Sequence, residues 1–249
     1  MLDHFFSPRS VAVIGASRDP DKLGYAVTYN LKEGGFPGEL YPVNPKAGEI
    51  LGLTAYASVG DIPGPVDLAV LVIPYKFVPG ALEECGQKGV PAAVVISAGF
   101  REAGREGLER ELELIEIAKR YQMRVIGPNC LGIIDTDTPL NASFATGMPP
   151  AGPIAFMSQS GALGTAVLDI AMAGRIGFSK FVSLGNKADV SEIDLLQALE
   201  NDPSSRVILM YIEGVPNGQR FMQVARQVTR TKPIVAIKSG VTQSGSRAV

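Results

Sequence analysis

Ser10-Val-Ala-Val-Ile-Gly-Ala-Ser-Arg-Asp-Pro-Asp-Lys-Leu-Gly24 opens as a short β-rich apolar run and breaks at Gly15 into a long polar loop. From about Lys22 to Glu33 the pattern becomes helical, and Gly34-Gly35 stops it. A strand, a glycine-led loop and a helix in this order start a nucleotide-type α/β unit. Working outward, further strands are expected over Gly38–Val43, Asp67–Ile73, Pro91–Ser97 and Met123–Ile126. The charged run Glu102–Arg120 spaces Leu108, Leu112 and Ile115 at helical intervals. Continuous apolar strands alternating with helices predict a parallel sheet covered on both faces, a doubly wound, Rossmann-like α/β domain over residues 1–134.

Residues 135–152 are rich in Thr, Pro and Gly and read as a connection. The alternation then restarts. Pro153–Met157, Lys180–Ser183, Val207–Ile212 and Pro233–Ile237 are strand-like, whereas Gly161–Ala173, Glu192–Leu199 and Gln219–Thr229 are helix-like. This second α/β unit, 153–249, is expected to be incomplete, because Ser239–Val249 is Ser/Gly-rich and supplies no covering helix.

At 249 residues, 46% of them hydrophobic and 19% charged, the chain can bury a substantial core. A net charge of -2 gives no global electrostatic case for nucleic acid, and no apolar run approaches the ~18 residues a membrane span needs. The N-terminus lacks a basic leader and a long apolar region, and Cys85 and Cys130 cannot frame a disulfide network, so a reducing cytoplasm is expected. His4 is the only histidine, which argues against a Ser-His-Asp hydrolase and a multi-histidine metal site. No metal site is expected.

Three places carry candidate chemistry. The loop from Gly15 to Gly24 sits where backbone N–H groups and a helix N-terminus meet anionic oxygens, although it does not spell G-x-G-x-x-G. Asn44-Pro-Lys46 puts an amide and a cation where an NAD site usually offers a carboxylate, and Lys46 suits a phosphorylated ribose, as in NADP or coenzyme A. Second, Met157-Ser-Gln-Ser-Gly161 runs a strand into a helix start that can hold phosphate. It is not a nucleophile elbow, since Ser158 and Ala162 stand where glycines are required. Third, Glu213 follows an apolar strand, where open sheets expose functional side chains. Read singly, the glycines fit ordinary turns, Lys46 a solvated cation, the serines helix caps and Glu213 a loop carboxylate.

Taken in order, Ile14-Gly-Ala-Ser17, Val43-Asn-Pro-Lys46, Ile96-Ser-Ala-Gly-Phe100, Ile126-Gly-Pro-Asn-Cys-Leu-Gly132, Met157-Ser-Gln-Ser-Gly161, Ser183-Leu-Gly-Asn-Lys-Ala-Asp189 and Tyr211-Ile-Glu-Gly214 resemble the NDP-forming acyl-CoA synthetases, relatives of the succinyl-CoA synthetase α subunit. The likeness covers essentially the whole chain. It implies a CoA-binding domain followed by a flavodoxin-like domain that helps make an acyl phosphate and a phosphohistidine. Gly15, Ser17, Arg18, Asp19 and Lys22 then match the CoA loop, Lys46 a CoA phosphate ligand, and Ser97, Ala98 and Gly99 the segment beside pantetheine. Pro128 and Asn129 match the turn near the acyl group, Ser158, Ser160 and Gly161 the phosphate site, and Glu213 the carboxylate that steadies the phosphohistidine.

The resemblance also implies an ATP-grasp partner, as a separate β subunit or a fused domain, that carries ATP or ADP with Mg²⁺. CoA, a small carboxylic acid and phosphate would be the other reactants. The family's phosphorylated histidine follows a Lys-Ser-Gly-rich lead-in, matched here by Lys238-Ser-Gly240, and lies beyond this segment; His4 does not take its place. Thr165 stands where the succinate enzyme has an aromatic, so succinate is not supported. A noncatalytic CoA-binding module and an NADP-dependent oxidoreductase are the alternatives.

Overall fold

The computed structural model describes residues 2–240. A short helix α1 (Asp3–Phe6) precedes β1 (Ser10–Ile14), α2 (Leu23–Glu33) and β2 (Glu39–Val43). A small antiparallel hairpin of β3 (Glu49–Ile50) and β4 (Leu53–Thr54) follows, then β5 (Leu68–Leu71), α3 (Val78–Lys88), β6 (Ala92–Val95), α4 (Arg105–Arg120) and β7 (Arg124–Ile126). Five of these strands form a wholly parallel sheet in the order β2-β1-β5-β6-β7. β1, β5 and β6 are buried along their whole length, as continuous apolar runs covered on both faces require.

The second sheet takes β8 (Gly132–Asp135), β9 (Leu140–Ser143) and β10 (Ala151–Ser158), with α5 (Gly161–Gly174), β11 (Phe178–Ser183), α6 (Glu192–Glu200), β12 (Val207–Ile212), α7 (Gly218–Val228) and β13 (Ile234–Lys238) completing the order. Its strands run β13-β12-β10-β11-β8-β9. β10 to β13 are parallel and β8 and β9 add an antiparallel edge.

The segment expected to be a connection over 135–152 therefore carries strand structure. Its Thr, Pro and Gly content masks Leu140–Ser143, four buried residues held by side-chain amides. Asn141 Oδ1 accepts from the Ser143 N–H and Oγ at 3.2 and 2.6 Å, and Asn30 of α2 donates to the carbonyls of Ser143 and Ala145 at 2.8 and 2.7 Å. The helix-like and strand-like segments of the second half appear where periodicity placed them. Of the Ser239–Val249 tail, residues 241–249 lie outside the described residues.

Both halves share one plan. In each, the first strand lies between the second and third parallel strands, which creates a crevice at the strands' carboxyl ends. One apolar cluster runs from β1 and β5 through Cys130 and Ile133 to β10 and β12, so the halves share a core. Arg124 adds a polar strap, reaching Asp189 at 2.9 Å and Asp194 at 3.1 Å.

Candidate active site

A cavity of about 950 Å³ lies where the two crevices meet. Every stretch lining it follows the carboxyl end of a parallel strand or begins the next helix, except Phe144: Gly15 to Ser17 after β1, Asn44 after β2, Val72 to Tyr75 after β5, Ile96 to Ala98 after β6, Asn129 to Leu131 after β7, and Gln159 to Ala162 after β10. Such a site takes its shape from rigid strands and its chemistry from loops.

The first loop is fixed by close packing. Gly15 has φ +93°, and a Cβ there would fall 2.3 Å from the Val72 carbonyl oxygen; a Cβ on Gly24 would fall 1.9 Å from the Gly15 carbonyl oxygen. Inside the loop Ser17 Oγ accepts the Asp19 N–H at 3.0 Å, and Asp19 Oδ1 accepts the Asp21 N–H at 3.1 Å. Asn44 joins this loop to the next, donating to the Ala16 carbonyl at 2.7 Å while accepting the Lys46 N–H at 2.8 Å. Gly15, Ser17 and Lys22 line the cavity, whereas Arg18, Asp19 and Lys46 are exposed beside it.

Ser97 and Ala98 also line it. The Ser97 hydroxyl is committed to structure, donating to the Ile73 carbonyl at 2.6 Å and accepting the Ile73 N–H at 3.2 Å. Gly99 does not reach the cavity. Its N–H and that of Phe100 are held by Glu102 at 2.5 and 3.1 Å. Partial burial opposes ionisation of Glu102, but hydrogen bonds from Asn186 and from the Gly99 and Phe100 amides outweigh it and hold the carboxyl below its usual range. Asn129, with φ +58°, donates to Asn186 Oδ1 at 3.3 Å and lines the cavity; Pro128, joined to Gly127 by a cis peptide, is buried behind it.

At the far end α5 starts. Ser160 is its N-cap, with Oγ accepting the Leu163 N–H at 3.3 Å. Gly161 and Ala162 keep first-turn N–H groups of the kind a helix leaves without an intrahelical partner, and among the described residues nothing stands within 4 Å of a Cβ placed on Gly161. A helix N-terminus opening into a cavity suits an anion. Ser158 is different: fully buried, it donates to the Ser160 carbonyl at 2.7 Å and accepts the Ser160 N–H at 3.1 Å. It shapes the turn from behind.

Glu213 does not line the cavity. Its turn is fastened by a residue the sequence reading passed over, Gln159, whose Oε1 accepts the N–H groups of Glu213 and Gly214 at 2.8 and 2.9 Å. Gln159 Nε2 donates to Glu192 at 3.3 Å and to the Gly214 carbonyl at 3.0 Å, and Lys187 pairs with the same Glu192 oxygen at 3.2 Å. Glu192 is buried, and its other oxygen has no hydrogen-bond partner among the described residues. Cys130 lines the cavity, but burial pushes its thiol up to about 12, so it is no nucleophile at neutral pH. His4 is exposed on α1, whose Phe5 and Phe6 are buried, and it does not line the cavity.

Residues 9–136 match the model of the CoA binding domain, and residues 151–249 match that of the succinyl-CoA ligase like flavodoxin domain. The chain belongs to the NDP-forming acyl-CoA synthetase family. It is 53% identical over 248 residues to the alpha subunit of an ADP-forming acetate–CoA ligase II of Pyrococcus furiosus, covering 100% of this chain and 54% of that protein. Against an ADP-forming acetate–CoA ligase I of Archaeoglobus fulgidus it is 52% identical, over 99% of this chain and 36% of the relative. A solved acetyl-coenzyme A synthetase 1 from Ca. Korarchaeum cryptofilum, in complex with phosphate and ADP, superposes with a TM-score of 0.96 at 44% identity, covering 100% of this chain and 53% of that one. The chain thus spans from about a third to about half the length of these relatives.

Proposed function

We propose that this chain is the CoA-binding portion of an NDP-forming acyl-CoA synthetase that couples thioester formation or cleavage to ATP and ADP. The observation that carries the reading is the single cavity joining the Gly15 loop to the α5 N-terminus. It suits a ligand with a nucleotide at one end and a reacting carbonyl at the other. Arg18, Lys22 and Lys46 flank the first end with positive charge, Ser17 and Asp19 shape that loop, and Ser97, Ala98 and Gly99 line or support the passage of the pantetheine arm. Asn129 and the turn at Pro128 then face the thioester carbonyl.

The first step would be attack of a phosphate oxygen on that carbonyl, with the C–S bond breaking and CoA leaving as thiolate. The Gly161 and Ala162 N–H groups, the Ser160 cap and the positive end of α5 hold the phosphate, while Ser158 and Gln159 fix the turn. Glu213 is assigned to orient the histidine that receives the phosphoryl group, which is not His4, the one histidine in this sequence. An ATP-grasp domain, fused or separate, would carry the nucleotide and Mg²⁺. The resemblance to relatives named as acetate–CoA ligases favours a small carboxylic acid. No helix among the described residues is long and apolar enough to cross a membrane, and the two buried free thiols fit a cytoplasmic setting.

Calorimetric titration of CoA into the folded chain tests the reading. Saturable binding that weakens in the Lys46→Ala variant is expected; a folded chain that takes up no CoA overturns it.

A further inference from the structure

A second cavity adjoins the first at Phe144. This cavity of about 410 Å³ lies along α2, bordered by Tyr25, Tyr29 and Met148, with the two tyrosine rings stacked at 5.8 Å. Among the described residues, Phe144 is the one shared by the linings of this cavity and the main one. Its ring packs half-buried against the core clusters on both sides.

The position of Phe144 is tied to the reacting end of the site. Its N–H donates to the Leu131 carbonyl, at 3.3 Å, two residues beyond Asn129. Leu131 and Thr165, which donates from Oγ1 to the Gly161 carbonyl at 3.2 Å, line the same end of the main cavity. Asn30 then fixes the backbone on either side of the ring through the carbonyls of Ser143 and Ala145. A buried amide spent on both flanks of one aromatic residue leaves that ring little freedom to swing aside.

Resting on the acyl-CoA reading above, we propose that Phe144 is the specificity-determining wall of the acyl end. It closes the site against the tyrosine-lined chamber, so the wild-type protein takes a short aliphatic acyl group. Removing the ring joins the two cavities, and the joined space is apolar and aromatic enough for a medium-chain or aryl acyl group.

The test is calorimetric binding of free CoA, acetyl-CoA, hexanoyl-CoA and phenylacetyl-CoA to the wild-type chain and to Phe144→Ala and Phe144→Leu. Free CoA reports the fold and the nucleotide end in every variant. The wild type is expected to bind the two larger thioesters about 10-fold or more weakly than acetyl-CoA, as a pocket too small by a few methylenes does. Phe144→Ala should bring all three thioesters within about threefold of one another, with Phe144→Leu between. A variant that binds free CoA normally and keeps the wild-type discrimination overturns the proposal, as does a wild type indifferent to acyl size. Should Phe144→Ala fail to fold, the Phe144→Leu ranking decides in the same way. Failure of the wild type to bind free CoA is a different result, which removes the acyl-CoA reading itself.

Discussion

After β1 the chain runs from Gly15 to Lys22 before its helix begins, and the loop is exposed through most of that length; after β10 only Gln159 and Ser160 intervene. The N-cap of α2, Lys22, makes no side-chain capping bond, whereas Ser160 caps α5 and the buried Ser158 braces the turn from below. Equivalent positions in two sheets of the same plan have thus been given different mechanics. The first loop is pinned at its two glycines and open between them, which suits a long ligand laid across it. The second is rigid up to the helix start, which suits a small anion held by backbone N–H groups.

Glycine substitutions break this comparison most sharply. At Gly24 a Cβ meets backbone on a rigid strand end, so Gly24→Ala should cost more than about 3 kcal/mol, beyond ordinary overpacking. Gly161 faces open space among the described residues, and Gly161→Ala should change stability by no more than about 0.5 kcal/mol. Urea unfolding of the two variants side by side measures the difference; equal midpoints would mean that the first loop is not pinned by close packing.

The contrast between these loops also explains what could be read in advance. Ser10–Ile14 and Gly15 announce themselves, because a fully buried parallel strand is a continuous apolar run and its glycine stop is local. Helix starts at Ser160 were legible for the same reason. Gln159 was not, since its partners lie 33 to 55 residues away and no spacing rule records them. Phe144 and the β9 strand were hidden by a composition that elsewhere makes linkers; antiparallel pairing with β8 makes that stretch ordered sheet, and Asn30, from a different element, holds its end. Local periodicity reports elements; it does not report which polar side chain is spent on which distant backbone.

The second loop depends on a buried pair that the first loop lacks. Lys187 is the cation on Glu192, whose side chain is 1% exposed and already one partner short. Lys187→Met leaves that carboxylate without its cation and should destabilise by about 3 kcal/mol, whereas the double change with Glu192→Gln should recover most of the loss. A double-mutant cycle by thermal unfolding tests the coupling, and additivity of the two changes would show that the pair does not brace the Gln159–Gly214 turn. Replacing the cap itself is milder. Ser160→Ala should cost about 1 kcal/mol, read from the same unfolding curves, and should weaken phosphate binding without altering CoA affinity.

Charge at the open loop gives the smallest effect on stability and the clearest separation of the two sites. Lys46 is exposed and its backbone, not its ammonium, is what Asn44 holds, so Lys46→Ala should leave the unfolding midpoint within about 0.5 kcal/mol of wild type. Its contribution is a long-range attraction to a ligand phosphate, which salt screens over about 10 Å at 0.1 M. CoA affinity should therefore fall about 10-fold at low ionic strength and by much less at high salt, whereas any loss caused by Ser160→Ala on phosphate, made through short backbone and hydroxyl contacts near α5, should persist. Calorimetry at two salt concentrations distinguishes them: a Lys46 effect insensitive to salt would place the ligand's charge somewhere other than against this loop.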